Sequence, residues 1–280
     1  MRTEDRLDLP ADDFRRRRAL LAPHVFADPG TGDDLPPTDM VAEDTWQEIM
    51  DLPTDVALRT SSHQGQMLDV LHALEVGWVF SWPDLGEAPL MEEAALLAGE
   101  EFGALVFNAI HGYYRQAIGC LRNAVEVVTV ASGLAVTENR PLFERWRAGQ
   151  KVSFGQARAW LRDSAVGGRI DQAAAPDSVF GDGDDAWLSR LYARLCGYAH
   201  SRAGYNNADF WKSNGPVHVP RALGVVLDEL RETLMLSYLL MRLGWPGFRA
   251  TDAVRDLLAD PRPSWQEFSG VLGSWLLPSG

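Results

Sequence analysis

The sequence predicts an all-α fold: a helical bundle with a poorly ordered acidic N-terminal segment before it and an appended amphipathic helix after it. Three observations carry this. Apolar residues recur at helical spacing through most of the chain beyond its first forty or so residues. No run alternates apolar and polar residues long enough for a strand, and Val217-His218-Val219 is too short to build a sheet. No internal repeat appears, so a single bundle over residues 46–245 is expected, between a loose segment at 1–45 and an extension at 246–280.

The elements follow in order. The opening segment contains DPGTGDDLPPTD, a turn-rich acidic linker, and Arg15–Arg18, whose four charges between acidic stretches read as a solvated helix face. SSHQGQMLDVLHALEVGWVF places Met67, Leu68, Leu71, Leu74 and Val79 near one face, with Ser61 or Ser62 as an available cap. SWPDLGEAP breaks that pattern with two prolines. From Met91 to Ile110 the chain is rich in Ala and Leu, and Glu92, Glu93, Glu100 and Glu101 mark its wetter side. Gly112 is suited to a left-handed terminator, so a tight helix–helix turn is expected there, with His111 capping the helix it ends. PLFERW and SFGQARAWLRD read as short helices, and VGGRIDQAAAPDSVFGDGDD as a long acidic loop. DDAWLSRLYARLCGYAH opens with two acidic residues, favourable at a helix N-terminus. An irregular Asn-, Gly- and Ser-rich stretch separates it from a long helix ending at Gly244, with Pro246 beyond. Last, Ser264 and Glu267 fit a capping box, and Trp265, Phe268, Leu272, Trp275 and Leu276 fall mainly on one side of a final helix. That Trp-rich helix is the expected docking patch for a protein partner.

The chain has 280 residues, enough for a sizeable core, and a formal net charge of −13. An acidic surface repels nucleic-acid phosphates unless basic residues gather on one face. Cys120 and Cys196 both sit in apolar helical patterns, where a cysteine is usually a small buried hydrophobe. With no signal peptide and so few cysteines, a reducing cytoplasm is the expected setting. The apolar run from Ile118 to Val136 is broken by Arg122 and Glu126, so no membrane span is expected. Zinc spacing, a Walker loop, a G-x-S-x-G elbow and a H-E-x-x-H helix are all absent from the sequence, so no metal or cofactor is expected.

The segment YYRQAIGCLRNAVEVVTVASGLA carries the most information. Ile118, Leu121, Val125 and Val128 form an apolar stripe; Arg115, Arg122 and Glu126 form a second one. Charges on an otherwise apolar helix need partners, so this stripe is expected to meet another helix. The expected neighbour is the helix ending at His200, packed antiparallel, with Arg122 and Glu126 at the contact.

Two segments together support a resemblance. GYYRQAIGCLRNAVE resembles the second helix of HEPN-like proteins (higher eukaryotes and prokaryotes nucleotide-binding), where an aromatic-led turn precedes an LR…E pattern. LYARLCGYAH resembles their later helix, which ends in an L…Y-x-H pattern and carries an Arg shortly before the His; here Arg194 and His200 are separated by five residues. The resemblance spans about residues 60 to 243. It implies a helical bundle that commonly forms homodimers, often within stress, toxin or defence systems. In catalytic members an Arg and a His cleave RNA without a metal, the 2′-hydroxyl serving as nucleophile. Carried over, His200 would move the proton and Arg194 would hold a phosphate oxygen.

Leu195 follows Arg194 where active members carry a polar residue. His200 at a helix C-terminus also suits capping of exposed carbonyls. The leading expectation is therefore an interaction or ligand-binding protein without catalysis. A metal-independent endoribonuclease using Arg194 and His200 is the first alternative. A nucleotide or small-ligand sensor is the second, its pocket formed by Arg115, Arg122, Glu126, Tyr198 and Asn214. Asp209 and His218 would join His200 and Asn214 in the loop beside it.

Overall fold

A computed structural model describes residues 43–82, 88–183, 185–199, 215–248, 251–260, 263 and 265–277. Arg15–Arg18, the acidic linker, His200, Asp209, Asn214 and Ser264 lie outside them. The chain divides into Met1–Glu48 and Ile49–Gly280, and the core and every site described below belong to the second unit. Among the described residues all regular structure is helical.

The first helix, α1, runs Glu43–Val79 with a kink at Gln64, where φ is −127° and ψ is 24°. Ser61 and Ser62 were candidates for its cap. Both instead lie inside the helix and donate back to the Leu58 carbonyl at 2.9 and 2.7 Å, the local bond that Ser hydroxyls make within a helix. Leu71 and Trp78 are buried, with Met67, Leu68 and Leu74 packed beside them; Val79, expected on this face, points outward.

The second helix, α2, covers Pro89–Ile110, and α3 covers Tyr114–Thr137. The turn between them is built as expected: Gly112 has φ +78°, and His111 bonds to the Phe107 carbonyl at 2.8 Å. Any Cβ at Gly112 would collide with the backbone of Val217. That close approach places the segment before the later long helix against this turn, and Val219 N donates to Tyr114 Oη at 3.1 Å.

Helix α3 is the centre of the bundle. Ile118, Leu121, Val125 and Val128 are fully buried. By length and composition alone α3 could cross a membrane despite Arg115, Arg122 and Glu126, but 67% of its most apolar stretch is buried within the fold, as in the core helix of a bundle.

Three short helices follow: α4 (Arg140–Arg147), α5 (Phe154–Asp163) and α6 (Ala165–Ala174). Asn139, Ser153 and Ser164 cap them by accepting from Leu142 N, Gln156 N and Gly167 N. Helix α6 corrects the reading of 166–185 as a loop throughout. Its paired glycines look like a breaker, yet Gly167 lies so close to the Leu161 carbonyl that a side chain has no room, and Ile170 is buried. The loop begins after Ala174, and Asp171 ties it down by accepting from Val179 N and Phe180 N.

Helix α7 (Trp187–Ala199) carries the second motif, and α8 (Pro220–Gly244) lines the core for most of its length. Helix α3 packs against α2, α5, α7 and α8. The C-terminal stretch contains two α-helices rather than one: α9 (Asp252–Ala259) and α10 (Ser269–Leu276), the latter preceded by a 3-10 turn at Gln266–Phe268. Trp265, Phe268, Leu272 and Leu276 are buried, and Phe268 stacks on Trp187 with ring centroids 4.9 Å apart. The expected docking patch on this Trp-rich helix is therefore covered by its own chain. Glu267 of the anticipated capping box pairs instead with Arg190 at 3.0 Å.

Candidate functional site

The two motif helices meet along one seam. Near the start of α3, Arg115 reaches the end of α7: Nε donates to the Tyr198 carbonyl at 2.9 Å and Nη2 to the Ala199 carbonyl at 3.2 Å. Further along α3, Arg122 reaches back to Tyr192, so the helices run antiparallel. Arg115 supplies what a helix C-terminus lacks, donors for its last carbonyls and a positive charge at the negative end of the dipole. Arg115 thus caps the last two carbonyls of α7 from the neighbouring helix.

Arg122 sits in a compact polar cluster. Its Nη2 lies 2.7 Å from Tyr192 Oη and 2.6 Å from Glu126 Oε2, while Nη1 donates to Asn123 Oδ1 at 3.1 Å. Tyr192 Oη donates to the same Glu126 oxygen at 3.3 Å. The ring of Tyr192 stacks on Phe154 of α5, with centroids 3.7 Å apart and planes 8° from parallel. Burial draws the Arg122 pKa down, but Cys196, Tyr192 and Glu126 together outweigh it and raise the value. Burial and the Glu126 charge push the Tyr192 phenol up to about 12. The Arg122 and Glu126 side chains are 26% and 25% exposed, so the pair is shielded without being sealed.

The cluster continues toward α2. Asn123 Nδ2 donates to Glu101 at 3.2 Å, and burial together with the Glu101 charge pushes the Cys120 thiol up to about 12.

Arg194 faces away from this seam, toward α8. Its Nε lies 2.8 and 3.1 Å from the two oxygens of Glu229, and its Nη2 lies 2.9 Å from Glu229 Oε2 and 2.5 Å from Glu232 Oε2. Trp187 Nε1 donates to the other Glu232 oxygen at 2.9 Å. The two carboxylate side chains are only 9% and 3% exposed. Burial pulls the Arg194 pKa down, and its hydrogen bonds and charge contacts with both glutamates more than reverse that. The Nε–Nη2 edge, one of the two guanidinium edges that can grip a phosphate bidentately, is occupied by protein carboxylates.

Of the other sequence candidates, Tyr198 is engaged through its backbone carbonyl with Arg115. His218 stands beside His63 of α1, ring centroids 5.6 Å apart, and its Nε2 is buried with no hydrogen-bond partner among the described residues. Burial, then the His63 and Arg59 charges, lower its pKa. His200 and Asn214 lie outside the described residues. No group of three His, Cys, Asp or Glu suited to a metal occurs among the described residues.

Glu229, Glu232, Trp187 and Tyr192 were not singled out in the sequence. Two carboxylates three residues apart in the Leu-rich stretch LDELRETLML are the same signal that exposed the Arg122 stripe. Compared with models of protein families, with curated proteins and with solved structures, the chain gives no match.

Proposed function

We propose that this chain is a HEPN-like interaction module that self-associates as a homodimer and does not cleave RNA. One observation supports the absence of catalysis: the Nε and Nη2 donors of Arg194 are held by Glu229 and Glu232. A phosphate gripping that edge would have to displace two buried carboxylates that already outnumber the single guanidinium charge, on a chain of net charge −13.

Helix α2 supports self-association. Leu96 and Phe107 are each 62% exposed, and eleven residues bring the helix round to within about 20° of the same face. Between them lie Glu100 and Gly103, where a Cβ would meet nothing. This pattern is self-complementary across a two-fold axis. Two antiparallel copies centred between Glu101 and Phe102 set Leu96 against the partner's Phe107 and Glu100 against the partner's Gly103. Large residues then meet at both ends, and each carboxylate passes over a glycine rather than its own copy.

Sedimentation of the wild type and of Phe107→Glu tests the dimer, and incubation with mixed RNA in EDTA tests catalysis. The expected results are a dimer that Phe107→Glu converts to folded monomer, and intact RNA. RNA cleavage by the wild type that is lost in Arg194→Lys, with circular dichroism unchanged, would replace this reading with the endoribonuclease.

A further inference from the structure

Between α3 and the end of α4 there is a pocket of about 330 Å³. Its outer wall is fixed by the turn that ends α4. Gly149 has φ +90°, Gly149 N donates to the Trp146 carbonyl at 2.9 Å, and Gln150 N donates to the Arg145 carbonyl at 2.8 Å. The chain then returns to α3, where Val152 joins Val130 in a small apolar cluster with Trp146 packed against it. Val127, Val130, Val152 and Trp146 make the lining largely apolar.

Two charged residues, Glu126 and Lys151, complete that lining together with Gly149 and Gln150. Their states differ. Glu126 is already paired: its Oε2 lies 2.6 Å from Arg122 Nη2 and accepts from Tyr192 Oη, whereas its Oε1 has no hydrogen-bond partner among the described residues. Lys151 is exposed and makes no ion pair among the described residues. The pocket thus offers one uncommitted positive charge, one uncommitted acceptor oxygen and an apolar wall that includes an indole.

We infer that this pocket binds a small aromatic monocarboxylate with a hydroxyl on its ring. Lys151 takes the carboxylate, the valines and Trp146 take the ring, and the hydroxyl donates to Glu126 Oε1. A phosphate ester would bring a second negative charge against Glu126 with no second free cation in the lining to meet it. A free amino acid would carry its ammonium, one carbon from its carboxylate, against Lys151. An acid without a hydroxyl would cover Glu126 Oε1 and take it from water without giving it a donor. The pocket is separate from the exposed face of α2, and the inference does not depend on the interaction reading.

Isothermal titration of the full chain with four probes tests it: 3- and 4-hydroxyphenylacetate, phenylacetate (no hydroxyl) and 4-methylphenol (no carboxylate). At least one hydroxyphenylacetate is expected to bind saturably. Phenylacetate and 4-methylphenol should each bind about tenfold more weakly, because each leaves one polar group of the pocket unmatched. Lys151→Gln should lower the affinity for the hydroxyphenylacetate to that of 4-methylphenol. Lys151 is exposed on the turn between α4 and α5, so its replacement leaves the core intact, and circular dichroism checks this. No saturable heat with either hydroxyphenylacetate up to about 10 mM overturns the inference. Binding that Lys151→Gln leaves untouched overturns it as well, because the ligand then sits elsewhere. So does phenylacetate binding as tightly as the hydroxylated acids, because Glu126 Oε1 then takes no part.

Discussion

Arg194 lays one edge of its guanidinium along both carboxylate oxygens of Glu229, with Nε 2.8 Å from Oε1 and Nη2 2.9 Å from Oε2. Together with Glu232 and the Trp187 indole this joins α7 to α8 through a cluster of two negative charges and one positive. The cluster is asymmetric in its consequences. Intact, it contributes little net stability, because burial of the ions offsets their attraction. Broken on one side, it leaves uncompensated charge in the core. Arg194→Ala is expected to cost roughly 3–5 kcal/mol, read as a fall in urea midpoint. A loss of only a few tenths would mean that water reaches both glutamates.

The same cluster has a pH signature. Glu229 has its pKa raised above the ordinary 4.5, because burial outweighs the pull of Arg194. The native protein therefore keeps this proton over a window above 4.5 in which the unfolded chain has released it. Its contribution to stability falls as pH rises through that window. Removing Arg194 removes what holds the value down, so the window widens. The deficit of Arg194→Ala should shrink as the urea titration moves from about pH 8 to about pH 5. A deficit independent of pH would show that Glu229 stays ionised throughout.

Glu126 is a milder case. Its pair with Arg122 is about one-quarter exposed, and Tyr192 and Asn123 remain as partners when it is removed. Glu126→Ala should therefore cost about 1 kcal/mol, far less than Arg194→Ala. A fall as large as that of Arg194→Ala would show that Arg122 cannot be satisfied by its remaining partners.

How much of this could be read from the sequence depended on whether a residue's partner lay on its own helix. The apolar stripe of α3, the Arg122–Glu126 pair and the Gly112 turn are set by periodicity and local backbone, and they were legible. So was the antiparallel meeting of α3 and α7, because a charged stripe on an apolar helix demands a neighbour. The partners of Arg194 were not legible, because its glutamates are more than thirty residues away on α8 and a motif cannot say which neighbour occupies a side chain. Helix α6 was missed because Gly167 reads as a breaker; only the crossing of Leu161 beneath it reveals why glycine is there. The Trp-rich end read as a docking surface because amphipathicity marks a face to be covered without naming the cover, which here includes Trp187.

Gly112 offers a backbone test of the α2–α3 turn. At φ +78° an alanine is strained by roughly 1–3 kcal/mol, and its methyl would also strike Val217. Gly112→Ala should exceed the strain cost alone and should loosen the Val219 N–Tyr114 Oη bond that the same approach maintains. Hydrogen exchange at the Val219 amide reads this directly. Protection equal to wild type in a folded Gly112→Ala protein would show that the turn and the 215–219 segment are held independently.

Cys120 tests the electrostatics of the network at the α2–α3 interface. Burial, with the Glu101 carboxylate second, pushes its thiol up to about 12. The thiolate is the reactive form, so at about pH 8 very few of the molecules carry it. Iodoacetamide that fully alkylates free glutathione should leave Cys120 nearly unmodified, as mass spectrometry of the peptide containing it would report. Glu101→Gln removes the second cause while leaving the first, so alkylation should quicken by a modest factor rather than reach the rate of an unperturbed thiol. Rapid alkylation of the wild type would mean that Cys120 is open to solvent. No change in Glu101→Gln would mean that burial alone sets its reactivity, with the carboxylate electrostatically silent.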